Sequence, residues 1–166
     1  MSEVKNNLES DWTVMPFVGL TLLGFVAAIL DFVYLQSFSF QSYAVPGLIL
    51  LIVGGIIRMK ARLQLKKNAG FRSLVGTSKL KVVKEHHLVK EGLYKHVRHP
   101  LYLGEILRNL GFAIVFSSVY GTLIVLLAST FLFFRMSIEE KMLISFFGQE
   151  YREYKRRTKK LIPYIY

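Results

Sequence analysis

The chain contains no cysteine. That absence removes disulfide bonds, thiolate catalysis and cysteine-ligated zinc. Acidic residues are also scarce: 11 Asp and Glu stand against 22 Lys and Arg, for a formal net charge of +11. No GxGxxG or Walker pattern occurs, so any nucleotide-like cofactor must be held by other means. Internal repeats and low-complexity tracts are missing too. The first twelve residues are polar and mildly acidic, without a basic leading region, so no cleavable signal peptide is expected.

Apolar residues are abundant: they make up 52% of the 166 residues, aromatic residues 14%, and the mean hydropathy is +0.38. The apolar residues come in long runs, the composition of a membrane protein. The runs predict four spans, at about Val14 to Phe32, Tyr43 to Ile57, Leu101 to Phe116 and Val119 to Phe134. Each is near the length needed to cross ~30 Å of hydrocarbon, the last three being short. The expected fold class is therefore all-α, an integral membrane helical bundle of about four transmembrane helices. The first two spans form an amino-terminal transmembrane hairpin within residues 1–59.

The placement of charge argues against nucleic acid as a partner. Twelve of the 22 Lys and Arg lie between Arg58 and Arg98, and six more between Arg152 and Lys160. Both clusters abut hydrophobic spans, as the positive-inside rule expects of cytoplasmic segments that can touch anionic lipid head groups. The links within each pair of spans are uncharged, Gln36 to Ser42 and the tight Ser117-Ser118 turn. These place both termini in the cytoplasm and imply antiparallel hairpins. Asp31 reads as a carboxylate at the outer interface, and Pro46 with Gly54-Gly55 as a kink or close helix packing. Lys79 to Val83 alternates and suggests a short extended piece. Arg135 to Phe147 keeps helical spacing, with Met142, Leu143 and Phe146 as its buried face and Gly148 as a C-cap. Tyr151, Tyr154 and the basic run after them suggest an interfacial amphipathic helix.

The residues that can carry chemistry fall into a few groups. Arg98-His99-Pro100-Leu101-Tyr102 crowds a cation, an imidazole, a helix-starting proline and a phenol at the water–lipid boundary. A helix starting there offers a seat for a carboxylate or phosphate, reinforced by Arg98; equally, Arg98 and His99 could only anchor the span. Upstream, His86 and His87 are adjacent and so poorly spaced to share a metal ion; no metal is expected. The Leu88-Val89 pair beside Tyr94 can instead sandwich a flat ring. Arg135 and Glu139 are four apart and share a helix face, either as an ordinary ion pair or as a guanidinium held for a carboxylate; Glu140 points elsewhere. Glu105, Arg108 and Asn109 lie inside the third span and should face the interior and pair with one another.

As an ordered set, these residues resemble the isoprenylcysteine carboxyl methyltransferase family and its phospholipid N-methyltransferase relatives. The similarity runs through His86-x-Leu88-Val89, Gly92-x-Tyr94 and Arg98-His99-Pro100-x-Tyr102-x-Gly104. After a hydrophobic hairpin it continues with Arg135, Glu139-Glu140, Phe147-Gly148-x-x-Tyr151-x-x-Tyr154 and Ile162-Pro163. It covers about half the chain, and makes residues 60–166 a methyltransferase core; the amino-terminal half carries little of the family's motif. The resemblance implies a membrane-embedded helical enzyme that uses S-adenosylmethionine without a Rossmann domain. It implies cofactor binding by His86, Leu88, Val89, Tyr94, His99, Pro100, Tyr102 and Glu139, with His87 and Leu101 contributing through backbone. It assigns Arg135 to the substrate, and with Glu139 to the catalytic centre.

The implied acceptor is lipophilic: the carboxylate of a prenylated cysteine or a similar small lipidic molecule, reached from membrane lipid. A carboxylate needs no general base, whereas a phospholipid amine would have to lose a proton, giving Glu139 or Glu140 a larger part. Two other classes remain. Membrane sterol reductases carry a related Arg-His-Pro-x-Tyr-x-Gly-Glu stretch and use NADPH, and Gly104-Glu105 fits that variant. A non-enzymatic tetraspan lipid-binding protein fits the composition alone.

Overall fold

The computed structural model describes residues 12–35, 40–69 and 88–163. Helix α1 spans Val14–Leu30 and runs on as a π-helical stretch, Asp31–Leu35. Helix α2 spans Phe40–Ala69. A 3₁₀ turn, Gly92–Lys95, precedes α3 at Pro100–Val115. Helices α4, Val119–Phe147, and α5, Gln149–Arg157, follow. Among the described residues the one β feature is an isolated parallel bridge between Val97 and Lys159. The expected all-α membrane architecture is therefore the observed one.

Among the described residues three helices, not four, are long and apolar enough to cross a membrane: Val14–Leu35, Tyr43–Lys67 and Val119–Phe147. The expected third span, α3, has 16 residues and reaches about 24 Å at 1.5 Å per residue, short of ~30 Å of hydrocarbon. It also carries Glu105, Arg108 and Asn109, of which Glu105 and Asn109 are buried and the half-exposed Arg108 pairs with both. Outward-facing Leu22, Leu48, Ile52, Leu123 and Leu127 are all exposed, as suits side chains that meet lipid.

Helix α2 is longer than its expected span. It continues through Arg58 to Ala69, because Lys, Arg, Gln, Leu and Ala are good helix formers and no proline or glycine intervenes. Residues 60–69, the start of the basic segment, are thus helical. The extended piece expected at Lys79 to Val83 lies outside the described residues, as do His86 and His87.

Packing groups the helices as two close pairs, α2 with α3 and α1 with α4, so each helix of the expected amino-terminal hairpin packs against a helix of the second hairpin. Glycine explains the choice. A Cβ on Gly104 of α3 would lie 2.6 Å from the Arg58 backbone nitrogen and 2.7 Å from the Gly54 oxygen of α2. A Cβ on Gly121 of α4 would lie 2.9 Å from the Gly24 oxygen of α1. Such backbone approach is what small residues allow between membrane helices. Between the pairs runs a looser seam, filled midway by Phe25 against Phe112, with ring centroids 4.2 Å apart. At the basic end of the seam, Phe17, Tyr102, Leu132, Met136 and Leu161 form one buried cluster.

Asp31, near the end of the first span, is 2% exposed and accepts a hydrogen bond from Ser118 Oγ at 2.7 Å, tying α1 to the α3–α4 turn. Two further expectations change. On α4 the inward face near the basic end is Arg135, Met136 and Glu140; Met142 and Leu143 are half-buried and Phe146 is exposed. On α5, Tyr151 and Tyr154 are buried against the protein, so its aromatic face is not available to a membrane surface. Gly148 holds the expected C-cap, at φ +56°.

Replacing Gly104 with Val is expected to force α2 and α3 apart. Overpacking of this kind costs about 1–3 kcal/mol or more, and should appear as a lowered thermal unfolding midpoint in detergent. An unchanged midpoint would show that the close approach is not needed.

Candidate active site

The site is built where α3 begins. Pro100 takes the first helical position and fixes the entry; His99 before it adopts φ −123°, ψ 54°, outside the helix. His99 is 3% exposed. Its ring lies between two carboxylates, with Nε2 3.3 Å from Glu140 Oε1 and Nδ1 3.9 Å from Glu139 Oε2. One turn on, Tyr102 donates its phenol proton to Glu139 Oε2 at 2.8 Å and accepts from Arg135 Nε at 3.0 Å. Arg135 and Glu139 share a face of α4 as the spacing predicts, and Tyr102 of α3 is inserted as a bridge between them.

The second layer is a set of pairs that hold α3, α4 and the tail together. Arg98 Nε donates to Glu140 Oε1 at 2.8 Å, and Lys155 Nζ lies 2.8 Å from Glu140 Oε2. Arg98 also donates to the carbonyls of Lys155 and Thr158 at the end of α5. The backbone closes alongside: Arg98 N–H donates to Lys159 O at 2.8 Å, His99 N–H to Lys160 O at 3.1 Å, and Lys159 N–H to His96 O at 3.1 Å. Arg98 is thus neither an interfacial anchor nor an open anion seat. Glu140, expected to point elsewhere, is 5% exposed and central.

On the α2 side, Val89, Tyr94 and Leu101 pack with Ala61 as an apolar wall. The Tyr94 phenol reaches Ala61 O at 3.5 Å, and Tyr154 donates to Tyr94 O at 2.7 Å. Burial, and after it the Glu139 charge, push the Tyr94 phenol well above its ordinary pKa, so it remains a neutral donor. Gly92, at φ +59°, sits where a Cβ would strike the Gln64 side chain, and Gln64 Oε1 accepts from Leu93 N–H at 3.2 Å. The helical extension of α2 therefore positions this wall.

A cavity of about 100 Å³ opens beside Arg135, lined by Thr13, Val14, Phe17 and Val18 of α1, Leu132 of α4, and Arg58 and Glu105. Glu105 pairs with Arg58, accepts from Arg108 at 2.6 Å, and meets Asn109 Nδ2 at 3.4 Å. Pairing of Glu105, Arg108 and Asn109 was legible in the sequence. Arg58 was not, because at the end of an apolar run it looked like one more boundary cation.

Of the residues singled out in sequence, Val89, Tyr94, His99, Pro100, Leu101, Tyr102, Arg135 and Glu139 are described and lie around the start of α3 and the end of α4; Leu88 adjoins Val89. The group would suit a ligand with a flat ring and a cationic centre: the apolar wall with its phenol could take the ring, and the half-buried Glu139 carboxylate the positive charge.

Fold and site together define a helical integral membrane protein with a polar centre buried at one end of its bundle. The isoprenylcysteine carboxyl methyltransferase (ICMT) family model matches residues 47–145, and the chain belongs to that family. It is similar to protein-S-isoprenylcysteine O-methyltransferase of Schizosaccharomyces pombe, 32% identical over 133 residues, 80% of this chain and 54% of the relative. It is also similar to methanethiol S-methyltransferase 1 of Bradyrhizobium diazoefficiens, 40% identical over 72 residues, 43% of this chain and 25% of the relative. A solved structure of the eukaryotic intramembrane Ras methyltransferase ICMT superposes with a TM-score of 0.70 at 27% identity, covering 90% of this chain and 52% of that one. The chain thus spans about half the length of the S. pombe relative and of that solved structure.

Removing one partner of the buried pair, Arg98→Met, is expected to cost about 3 kcal/mol or more, since Glu140 would lose a partner in a dry site. Lys90→Met, which breaks the exposed pair with Glu150 at 2.8 Å, should cost under about 1 kcal/mol. Denaturant unfolding in detergent measures both, and equal losses would remove the special role of Arg98.

Proposed function

We propose that the protein is an S-adenosylmethionine-dependent membrane methyltransferase acting on a lipophilic acceptor with a carboxylate, of the prenylated-cysteine type. The observation that carries this reading is the Arg135–Tyr102–Glu139 bridge beside a cavity with an apolar α1 wall. The family membership and the name of the S. pombe relative support it.

The cofactor would be held by Val89, Tyr94, His99, Pro100, Leu101, Tyr102 and Glu139, joined by His86, His87 and Leu88. The chemistry S-adenosylmethionine supplies when bound is an activated methyl carbon, whose bond to sulfur breaks as it bonds to the acceptor oxygen, the electron pair leaving on sulfur. Arg135 orients the acceptor carboxylate through its guanidinium, which is itself fixed by the Tyr102 oxygen. Glu139 accepts a hydrogen bond from the Tyr102 phenol and would present its negative charge to the cationic group. No residue has to remove a proton from a carboxylate acceptor. Burial of Tyr102 and His99 keeps water from competing for the methyl.

The basic end of the bundle, carrying both cation clusters, would face the cytoplasm with the two termini, and the acceptor would enter from the bilayer. Residues 60–166 supply most of the catalytic core and residues 1–59 the remaining helices. A second acceptor class is a small thiol, favoured by the cavity of about 100 Å³ and by the name of the Bradyrhizobium relative.

Transfer of radiolabelled methyl from S-adenosylmethionine to N-acetyl-S-farnesylcysteine and to methanethiol tests the reading and separates the acceptors. Arg135→Ala is expected to lower kcat/KM on the carboxylate acceptor by about 100-fold or more, the range for a lost charge-stabilising group, with S-adenosylhomocysteine affinity changed less than threefold. Unchanged transfer by Arg135→Ala would remove the assigned role of Arg135. An absence of transfer to any acceptor, with no S-adenosylhomocysteine binding, would remove the methyltransferase reading.

A further inference from the structure

We infer that α1, which lies outside the residues the family model matches, gauges the acceptor, and that Phe17 is the gauging residue. The inference rests on the methyl-transfer reading of this same site. The cavity beside Arg135 has its polar wall on α2, α3 and α4 and its apolar wall on α1, at Val14, Phe17 and Val18. Val18 is 40% exposed, so the cavity reaches the lipid-facing surface there. Val14 and Phe17 are buried and turned inward.

At about 100 Å³ the cavity is well below the ~300 Å³ at which pockets begin to hold drug-sized molecules. It therefore seats the reacting end of an acceptor and the first part of its thioether chain. What stops the chain from running deeper is specific. Along the inward stripe of α1, Phe17 is followed by Thr21, Gly24 and Ala28, all small. Gly24 and Ala28 are clasped by Gly121, which seals α1 against α4. The seam between the helix pairs is plugged by Phe25 and Phe112, two turns or about 12 Å beyond Phe17. Between cavity and plug stands Phe17, the one large fully buried side chain of α1 in that interval, with Leu20 half-buried beside the same cluster. Just beyond it the Thr21 hydroxyl, 8% exposed, has no hydrogen-bond partner among the described residues. Shortening Phe17 extends the cavity along the seam toward that point; enlarging it closes the seat.

The test uses the full chain in detergent or lipid nanodiscs and a series of N-acetylcysteine thioethers bearing methyl, five-carbon, ten-carbon and fifteen-carbon chains. Binding of each is measured by calorimetry, and methyl transfer in parallel. Phe17→Ala is expected to raise the affinity ratio of the ten-carbon to the five-carbon acceptor at least about tenfold, the scale on which apolar pockets discriminate chain length. The change should fall on KM rather than kcat. Phe17→Trp should move the ratio the other way. Phe17→Leu gives a milder shift in the Ala direction should Phe17→Ala fail to yield monodisperse protein. A length profile unmoved in both directions, in variants that unfold within a few degrees of the parent, overturns the inference. So does a parent protein that binds none of the series. Binding with the expected shifts but without methyl transfer would retain the gauge and remove the enzymatic reading instead.

Discussion

A carboxylate buried in a protein at the edge of a bilayer must be met by positive or hydrogen-bonding partners or it does not stay charged, and Glu140 is met by two cations and an imidazole. Arg98 comes from the segment before α3, His99 from its start, and Lys155 from α5. Taking the pair Arg98–Glu140 out of water is costly, and each remaining lone pair or proton must find a partner for the arrangement to hold. Here the spare Arg98 donors go to the carbonyls that close α5. The position of His99 follows from this contact. So does the direction in which α3 sets out, and with it the position of Tyr102 between Arg135 and Glu139.

The rest of the bundle separates rigidity from accommodation. Within each pair the helices touch backbone to backbone through Gly54 and Gly104, or Gly24 and Gly121, leaving no space for a ligand. Between the pairs, side chains rather than backbones meet, and there the polar centre, the small cavity and the aromatic plug are found. A part-buried network made of Glu105, Arg58, Arg108 and Asn109 keeps the polar wall of that cavity in one arrangement. Interlocked pairs of this kind resist rearrangement, because any member that leaves strands the others.

Much of this was legible from residue order. Hydrophobic runs gave the helices, since a bilayer demands them, and the ordered motif from His86 to Pro163 gave the family. Pro100 marked the start of α3 and Gly148 the end of α4, both through backbone constraints that act locally. What was not legible depends on contacts between distant segments. Arg98 and Glu140 are 42 positions apart, and nothing in either neighbourhood says that they meet. Arg58 looked like a boundary cation because its partner Glu105 lies on another helix. Tyr151 and Tyr154 read as membrane-facing because their spacing defines a face without naming what covers it. The pairing of α1 with α4 depended on glycines whose value appears only when two backbones approach.

The bridge from Val97 to Lys159 has a consequence for the order in which the molecule is made. Residues that shape the site at the start of α3 are joined to residues some 60 positions later, so the ribosome has produced α1 to α4 before any residue that completes the closure exists. The helices can enter the bilayer and pair through their glycines without the tail. Glu140, His99 and Arg98 then wait without the support of α5 and of the segment after it. Closing so long a loop is entropically unfavourable until the contacts at its end form. Maturation of the site is in this sense a separate event from insertion, and a nascent chain can be fully membrane-integrated while its chemical centre is still unmade.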